Sequence, residues 1–245
     1  MEETKTSSRV LLVTAVVLLV ILITGPLGYK FGLVPLQPSI LSLPIAAVGG
    51  LLVFVVGLVY LVIALRGGLI KDRNQIIIAL VLGSIPFLVV GPQIVAAGDV
   101  PPIHDISTDV ENPPTFVALL PDRKDAPNGF EYGTEMMSAE ELGEATRTAY
   151  PGVQPIESSL SVADAVARAK ETVLGMGLEV IATDVEAGTV EATATTLWFG
   201  FKDDFVVRVT PSAGGSRVDA RSMSRVGQSD IGTNAARILA FTESF

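Results

Sequence analysis

The sequence predicts an α+β protein held at a membrane. Three N-terminal transmembrane helices precede a soluble two-layer domain, in which helices pack on a mainly antiparallel sheet of about four strands. Three observations carry this reading. Apolar runs without a charged side chain recur three times before residue 98. Four alternating runs follow one another between Leu178 and Ser224 with no helical pattern between them. Segments of helical periodicity stand on both sides of those runs.

The membrane part comes first. Residues 10–29 carry no charge and are long enough to cross a hydrocarbon layer of roughly 30 Å. Lys5 and Arg9 precede this run as in a signal peptide, but no small-residue cleavage site follows and two more apolar spans do. The expected helices cover about 10–28, 40–65 and 76–97, within a transmembrane region of 1–97. Cations mark its orientation: Lys5, Arg9, Arg66, Lys71 and Arg73 flank one side, whereas Asp99, Asp105, Asp109 and Glu111 follow the third span. The positive-inside rule then puts the amino terminus and the 66–73 loop in the cytoplasm, and residues 98–245 outside a cytoplasmic (inner) membrane, in a periplasm or other extracytoplasmic space of the bacterial envelope. No span has an ionisable residue at its middle, which argues against a pump or transporter built from these helices alone. Gly49, Gly50, Gly57, Gly83 and Gly91 either mark close helix packing or reflect the abundance of glycine in membrane helices. If they pack, counting outward from the 66–73 loop sets Gly57 beside Gly83 and Gly49 beside Gly91.

Charge divides the chain. The net charge is −9, and residues 1–97 hold six cations against Glu2, Glu3 and Asp72, a net of +3 that leaves −12 for the rest. An acidic soluble part excludes a nucleic-acid binder driven by phosphate neutralisation. Cysteine is absent, which removes disulfides, thiolate catalysis and thiolate metal sites together.

Residues 98–130 are proline-rich and read as an extended tether with room for a short strand. Residues 131–245 then form the domain. Ser138-Ala-Glu-Glu141 has capping-box spacing, and Ser161 opens a second helix with Val162, Ala165, Val166, Ala169 and Val173 on one stripe. Strands are expected at 178–184, 189–197, 204–210 and 216–224. Each alternates apolar with polar residues, the pattern of a sheet covered on one side. Ser229 or Asp230 caps a last helix whose Ile231, Ala235, Ile238 and Phe241 face inward.

Several separated blocks resemble one family. Pro101-Pro-Ile-His-Asp-Ile-Ser-Thr-Asp109, Pro113-Pro114, Phe116 and Ala149-Tyr-Pro151 are followed by Thr195-Thr-Leu-Trp-Phe-Gly-Phe-Lys-Asp-Asp204, Gly215-Ser-Arg-Val-Asp219, Arg221-Ser222, Ser224-Arg-Val-Gly227 and Ser229-Asp230. In this order, over about residues 100–243, they resemble the domain of unknown function 1499. The resemblance implies a widespread domain attached to membrane helices, with no established activity. Asn128–Tyr132 and Gln228 depart from that family's pattern, the latter where an arginine is common.

Three groups are candidate sites. With Gly214-Gly215 as the two-residue turn, Arg208 falls opposite Arg221 and Thr210 opposite Asp219. The two arginines then join either an exposed ion ladder with Asp219 or an anion site completed by Arg225 and Arg237. Trp198, Phe199 and Phe201 either cap the core under the sheet's end or form a patch for the bilayer or a membrane-protein partner. His104, Asp105 and Asp109 either cap turns or contribute to an oxygen-rich cation site. No catalytic motif, cofactor-binding glycine loop or paired metal motif is present in the sequence. The expected function is therefore a membrane-anchored binding or accessory module that recognises an anionic lipid, another anionic group or a membrane-protein complex. The alternative is an envelope hydrolase using His104 and Asp105.

Overall fold

The computed structural model describes residues 5–133 and 137–245. The chain forms two compact units, one of residues 1–96 with Trp198–Gly200, the other of the remaining residues.

The first unit is built on α1 (Thr6–Lys30), α2 (Leu36–Arg66) and α3 (Ile70–Asp99), each long and apolar enough to cross a membrane. All three run past their expected ends, because flanks such as Thr6–Arg9 and Ile70–Gln75 contain no breaker and wind on as polar turns. Leu11, Ala15, Leu18 and Leu22 form the inward stripe of α1. Small residues bring α2 and α3 together: a Cβ added at Gly50 would lie 2.5 Å from the carbonyl oxygen of Gly83. Such approach lets backbones touch where lipid supplies no hydrophobic drive. The contact overturns the expected glycine register. Gly57 meets Leu80, Gly49 meets Leu18 of α1, and a Cβ at Gly91 would meet nothing. The loop spans only Gly67–Leu69, shorter than the assumed 66–73, so the partner of Gly57 moves three residues, from Gly83 to Leu80, nearly one helical turn from the simple count. Near this loop the Lys5 N–H donates to Asp72 Oδ1 at 2.9 Å, so the start of α1 and the α2–α3 connection share one end of the bundle.

Among its described residues the second unit contains six strands, not four. β1 (Asp105–Ser107), β2 (Ile156–Ser158), β3 (Glu179–Asp184), β4 (Thr189–Thr195), β5 (Lys202–Ser212) and β6 (Gly215–Ser224) form one antiparallel sheet in the order β1-β6-β5-β4-β3. β2 also pairs with β6, alongside residues 216–218, while β1 takes 221–223. Both added strands are three residues long, too short to show an alternation of their own. The helices are α4 (Leu120–Arg123), α5 (Ala139–Ala149), α6 (Val162–Gly175) and α7 (Thr233–Ser244). The expected capping box forms at Ser138, and Ser161 accepts from the Asp164 N–H. At α7 the cap differs. Gly232 takes the N-cap position at φ 78, while Asp230 accepts from the N–H groups of Gly232 and Asn234. Ile231 is consequently turned outward rather than into the core.

One face of the sheet carries Val190, Ala192, Phe205, Val207, Val209, Val218 and Ala220, which pack on α6 and α7. Phe205 and Phe241 meet edge to face at 5.4 Å. The other face was expected to lie in water, and it does not. Residues 112–130 fold over it, and Phe116 and Leu119 form a small second core with Val206 and Met223. The proline-rich segment is therefore part of the folded unit.

The β5–β6 turn also moves. Ser212 pairs with Gly215, so Ala213-Gly214 forms the loop, and Arg208 stands opposite Asp219 with Thr210 opposite Arg217. Displacing the turn by one residue moves every pair by two, which keeps each side chain on its face but replaces an arginine–arginine pair with an ion pair.

Candidate functional site

An irregular segment that covers a sheet face must still pair its backbone N–H and C=O groups. Residues 112–130 have almost no secondary structure with which to do so. The charged side chains of the sheet face take that role. Arg208 donates to the Asn112 carbonyl, Arg221 to those of Pro114 and Phe130, and Arg225 to that of Asp122. In the other direction, the Glu191 carboxylate accepts from the successive N–H groups of Val117, Ala118 and Leu119, at 2.9, 2.9 and 3.0 Å.

The same side chains neutralise one another. Arg221 grips Asp105 through two hydrogen bonds and lies over the rings of Phe116, at 5.0 Å, and Tyr132, at 5.4 Å. Asp204 accepts from Arg123, Arg225 and the Thr193 hydroxyl. This bonding raises the pKa of Arg225, whereas desolvation lowers that of the more deeply buried Arg123. Arg208 and Arg217 share Asp219, and both reach Asp109. Burial, with the neighbouring Asp105 charge, pushes the Tyr132 hydroxyl up to about 12.

The four arginines expected to form an anion site are thus placed as follows. Arg208, Arg221 and Arg225 lie on the covered face, each bonded to an internal carboxylate. Arg237 belongs to α7 on the opposite face, where it donates to Asp203 and the Ser222 hydroxyl. The structure does not bring the four together. Arg221 is among the largest fully buried side chains, in place of the exposed ladder member that an open sheet face predicts. The expected aromatic group also divides. Trp198 and Phe199 belong to the helical unit, where Trp198 packs near Leu22, Ala46 and Val90, whereas Phe201 precedes β5 in the other unit. His104, Asp105 and Asp109 do not converge either, since Asp105 is held by Arg221 and Asp109 by Arg208.

His104 occupies a different setting. Its carbonyl accepts from the Ser224 N–H and from Asn234 Nδ2, which fixes the backbone. The residue is 8% exposed, and Nδ1 lies 3.4 Å from the Gln228 carbonyl oxygen. Nε2 is shielded from water and has no hydrogen-bond partner among the described residues. This residue borders a cavity of about 590 Å³ between the 102–105 and 127–133 segments, walled by Ile103, Leu142, Met137 and Met223. Asp105 does not orient the imidazole as a catalytic dyad requires: Nδ1 faces the Gln228 carbonyl, Nε2 has no partner among the described residues, and both Asp105 oxygens bond Arg221.

Sequence reasoning missed Arg123, Glu191 and Asp204 as network members, and missed the cavity. A signal for the first was present. Glu191 and Thr193, Asp204 and Arg208, and Arg217, Asp219 and Arg221 recur at every second or fourth residue on one face, beside a segment too rich in proline to bond itself.

No curated protein and no solved structure matches the chain. The family described as a protein of unknown function (DUF1499) matches residues 105–245, which include the whole sheet, both sides of the arginine–aspartate network and most of the cavity wall. The chain belongs to the DUF1499 family.

Proposed function

We propose that this chain is a membrane-anchored binding module whose site is the cavity beside His104, displayed on the extracytoplasmic side of a cytoplasmic membrane. One observation carries the binding reading: a cavity of about 590 Å³, large enough for a small molecule, opens beside His104. The mainly apolar wall with few convergent polar groups is the usual composition of a ligand site.

The placement rests on the cations. Lys5, Arg9, Arg66, Lys71 and Arg73 gather at the end of the bundle where α1 starts and α2 turns into α3. Such a cluster is retained on the cytoplasmic side and suits anionic headgroups of that leaflet. Three crossings then carry the domain outside.

The test is native mass spectrometry of the full chain, released from its membrane in nanodiscs. A co-purifying small molecule is expected on the wild type and absent from Gly129→Trp. Gly129 borders the cavity, and a Cβ there would meet nothing within 4 Å, so the ring fills space without a backbone clash. A wild type that carries no adduct, or an adduct that survives the substitution, would sink the proposal.

A further inference from the structure

We infer that the loop between β4 and β5, residues 196–201, is a membrane anchor of its own, whose Leu197 and Trp198 side chains enter the acyl layer of the leaflet at the C-terminal end of α1. This role is separate from the cavity and requires only that the three helices cross a bilayer, in either orientation. The local sequence suits lipid: Ala192–Phe201 carries no charged residue, and the first charge after it is Lys202. Depth follows from three contacts inside the helical unit, to which Trp198–Gly200 belongs. A Cβ added at Gly200 would lie 2.9 Å from Cγ of Lys30, the last residue of α1. The Phe199 ring is 6.4 Å from that of Tyr29. Trp198 packs against the cluster of Leu22, Ala46, Ala47 and Val90. Leu22 precedes Lys30 by eight residues, roughly 12 Å along the helix axis.

The contacts descend in order. Gly200 lies beside a lysine, Phe199 beside a tyrosine, and the Trp198 ring among residues of the charge-free run of α1. Tryptophan and tyrosine next to a lysine are the usual composition of the border between headgroups and acyl chains. Next to the cluster members in sequence, the helices turn Val20, Ile23, Ile45, Val48, Leu88 and Val89 outward. In a bilayer acyl chains cover these side chains, so the loop continues a surface that lipid already occupies. Leu197 is 89% exposed, the highest value among the large hydrophobic side chains described. Contact with water makes such exposure unfavourable, and contact with acyl chains does not. The neck of the loop is closed for that setting: the Thr196 N–H donates to the Phe201 carbonyl at 2.8 Å, and Thr196 Oγ1 accepts from the Phe201 N–H at 2.8 Å. Next to hydrocarbon, backbone groups have no water with which to pair, so internal pairing is what the site demands.

Trp198 is the only tryptophan, so its fluorescence in the full chain reports on the loop without a label. The chain is placed in phosphatidylcholine nanodiscs whose acyl chains are brominated midway, and separately in plain nanodiscs with acrylamide as the aqueous quencher. Half of the hydrocarbon layer is about 15 Å thick, so a ring inside it meets the bromines, and brominated lipid should remove roughly half of the emission. Acrylamide should remove little. Leu197→Trp in a Trp198→Phe background moves the reporter to the outward side chain, and brominated lipid should quench it at least as strongly. Leu197→Glu sets a charge among the acyl chains and should draw the loop out, raising acrylamide quenching of Trp198 about threefold. Leu174→Glu, at an exposed leucine of α6 away from the loop, should change neither signal. Should Leu197→Glu fail to fold, the wild-type and position-197 reporters decide the matter. Emission quenched by acrylamide but not by brominated lipid overturns the anchor. A reporter at 197 that neither quencher reaches marks a protein partner over the loop and overturns the lipid assignment. A folded Leu197→Glu variant whose Trp198 stays as shielded as in the wild type overturns the entry of Leu197 into the acyl layer.

Discussion

Arg221 and Asp105 face each other through two hydrogen bonds of 2.8 and 2.7 Å, with side chains only 2% and 3% exposed. The pair ties β6 to β1, and the same guanidinium holds the Pro114 and Phe130 carbonyls. Removing one partner of such a pair strands a buried charge. Arg221→Ala should therefore cost about 3–5 kcal/mol, far above the ~1 kcal/mol or less of an exposed ladder. Thermal unfolding of the full chain, followed by circular dichroism, reads this as a drop on the order of 10 °C. Replacing both partners, as Arg221→Met with Asp105→Leu, should restore much of the loss. A single variant that melts with the wild type would mean that the face is open to water.

Glu191 holds three consecutive N–H groups of the covering segment. Glu191→Gln keeps the shape but turns one acceptor into a donor facing a donor, at about 1–3 kcal/mol. Because the bonds are local to residues 117–119, the loss should appear first as faster proteolysis within 112–130, ahead of any change in the rest of the domain. Equal cleavage rates would show that the segment is held mainly by Phe116 and Leu119.

The helix register can be read directly, since the chain has no cysteine of its own. A Cβ at Gly83 would lie 2.8 Å from a methyl carbon of Val53, so Val53→Cys with Gly83→Cys should crosslink in membranes. Gly57→Cys with Gly83→Cys should not, because Gly57 faces Leu80. Efficient crosslinking of the second pair alone would restore the register obtained by counting from a longer loop.

Topology is tested with alkaline phosphatase, which is active only outside the cytoplasm. A fusion after Phe245 should be active and one after Leu69 inactive, as the cations around the α2–α3 loop require. A stably expressed but inactive fusion at Phe245 would reverse the proposed orientation.

The sequence by itself determined what depends on local pattern. Charge-free runs of spanning length gave the three helices, spacing gave the Ser138 and Ser161 caps, and alternation gave four strands with their correct faces. It also carried the family, because the matching blocks are linear. Only the tertiary structure decided what lies over the polar face of the sheet. Alternation in β4, β5 and β6 distinguishes two faces but cannot tell water from a folded-back segment, since both satisfy charged side chains. Residues 112–130 settle the matter through contacts with Glu191, Arg208 and Arg221, which lie far along the chain. Pairings at β1 and β2 were hidden for the same reason, each being three residues long and ordered by β6 rather than by its own sequence. The one-residue place of the turn at Ala213-Gly214 set whether Arg208 meets Arg221 or Asp219, and two adjacent glycines made both turns locally acceptable. His104 is the clearest case. Its neighbours in sequence suggested a dyad with Asp105, but a buried arginine claimed that carboxylate and left the imidazole at the edge of a cavity.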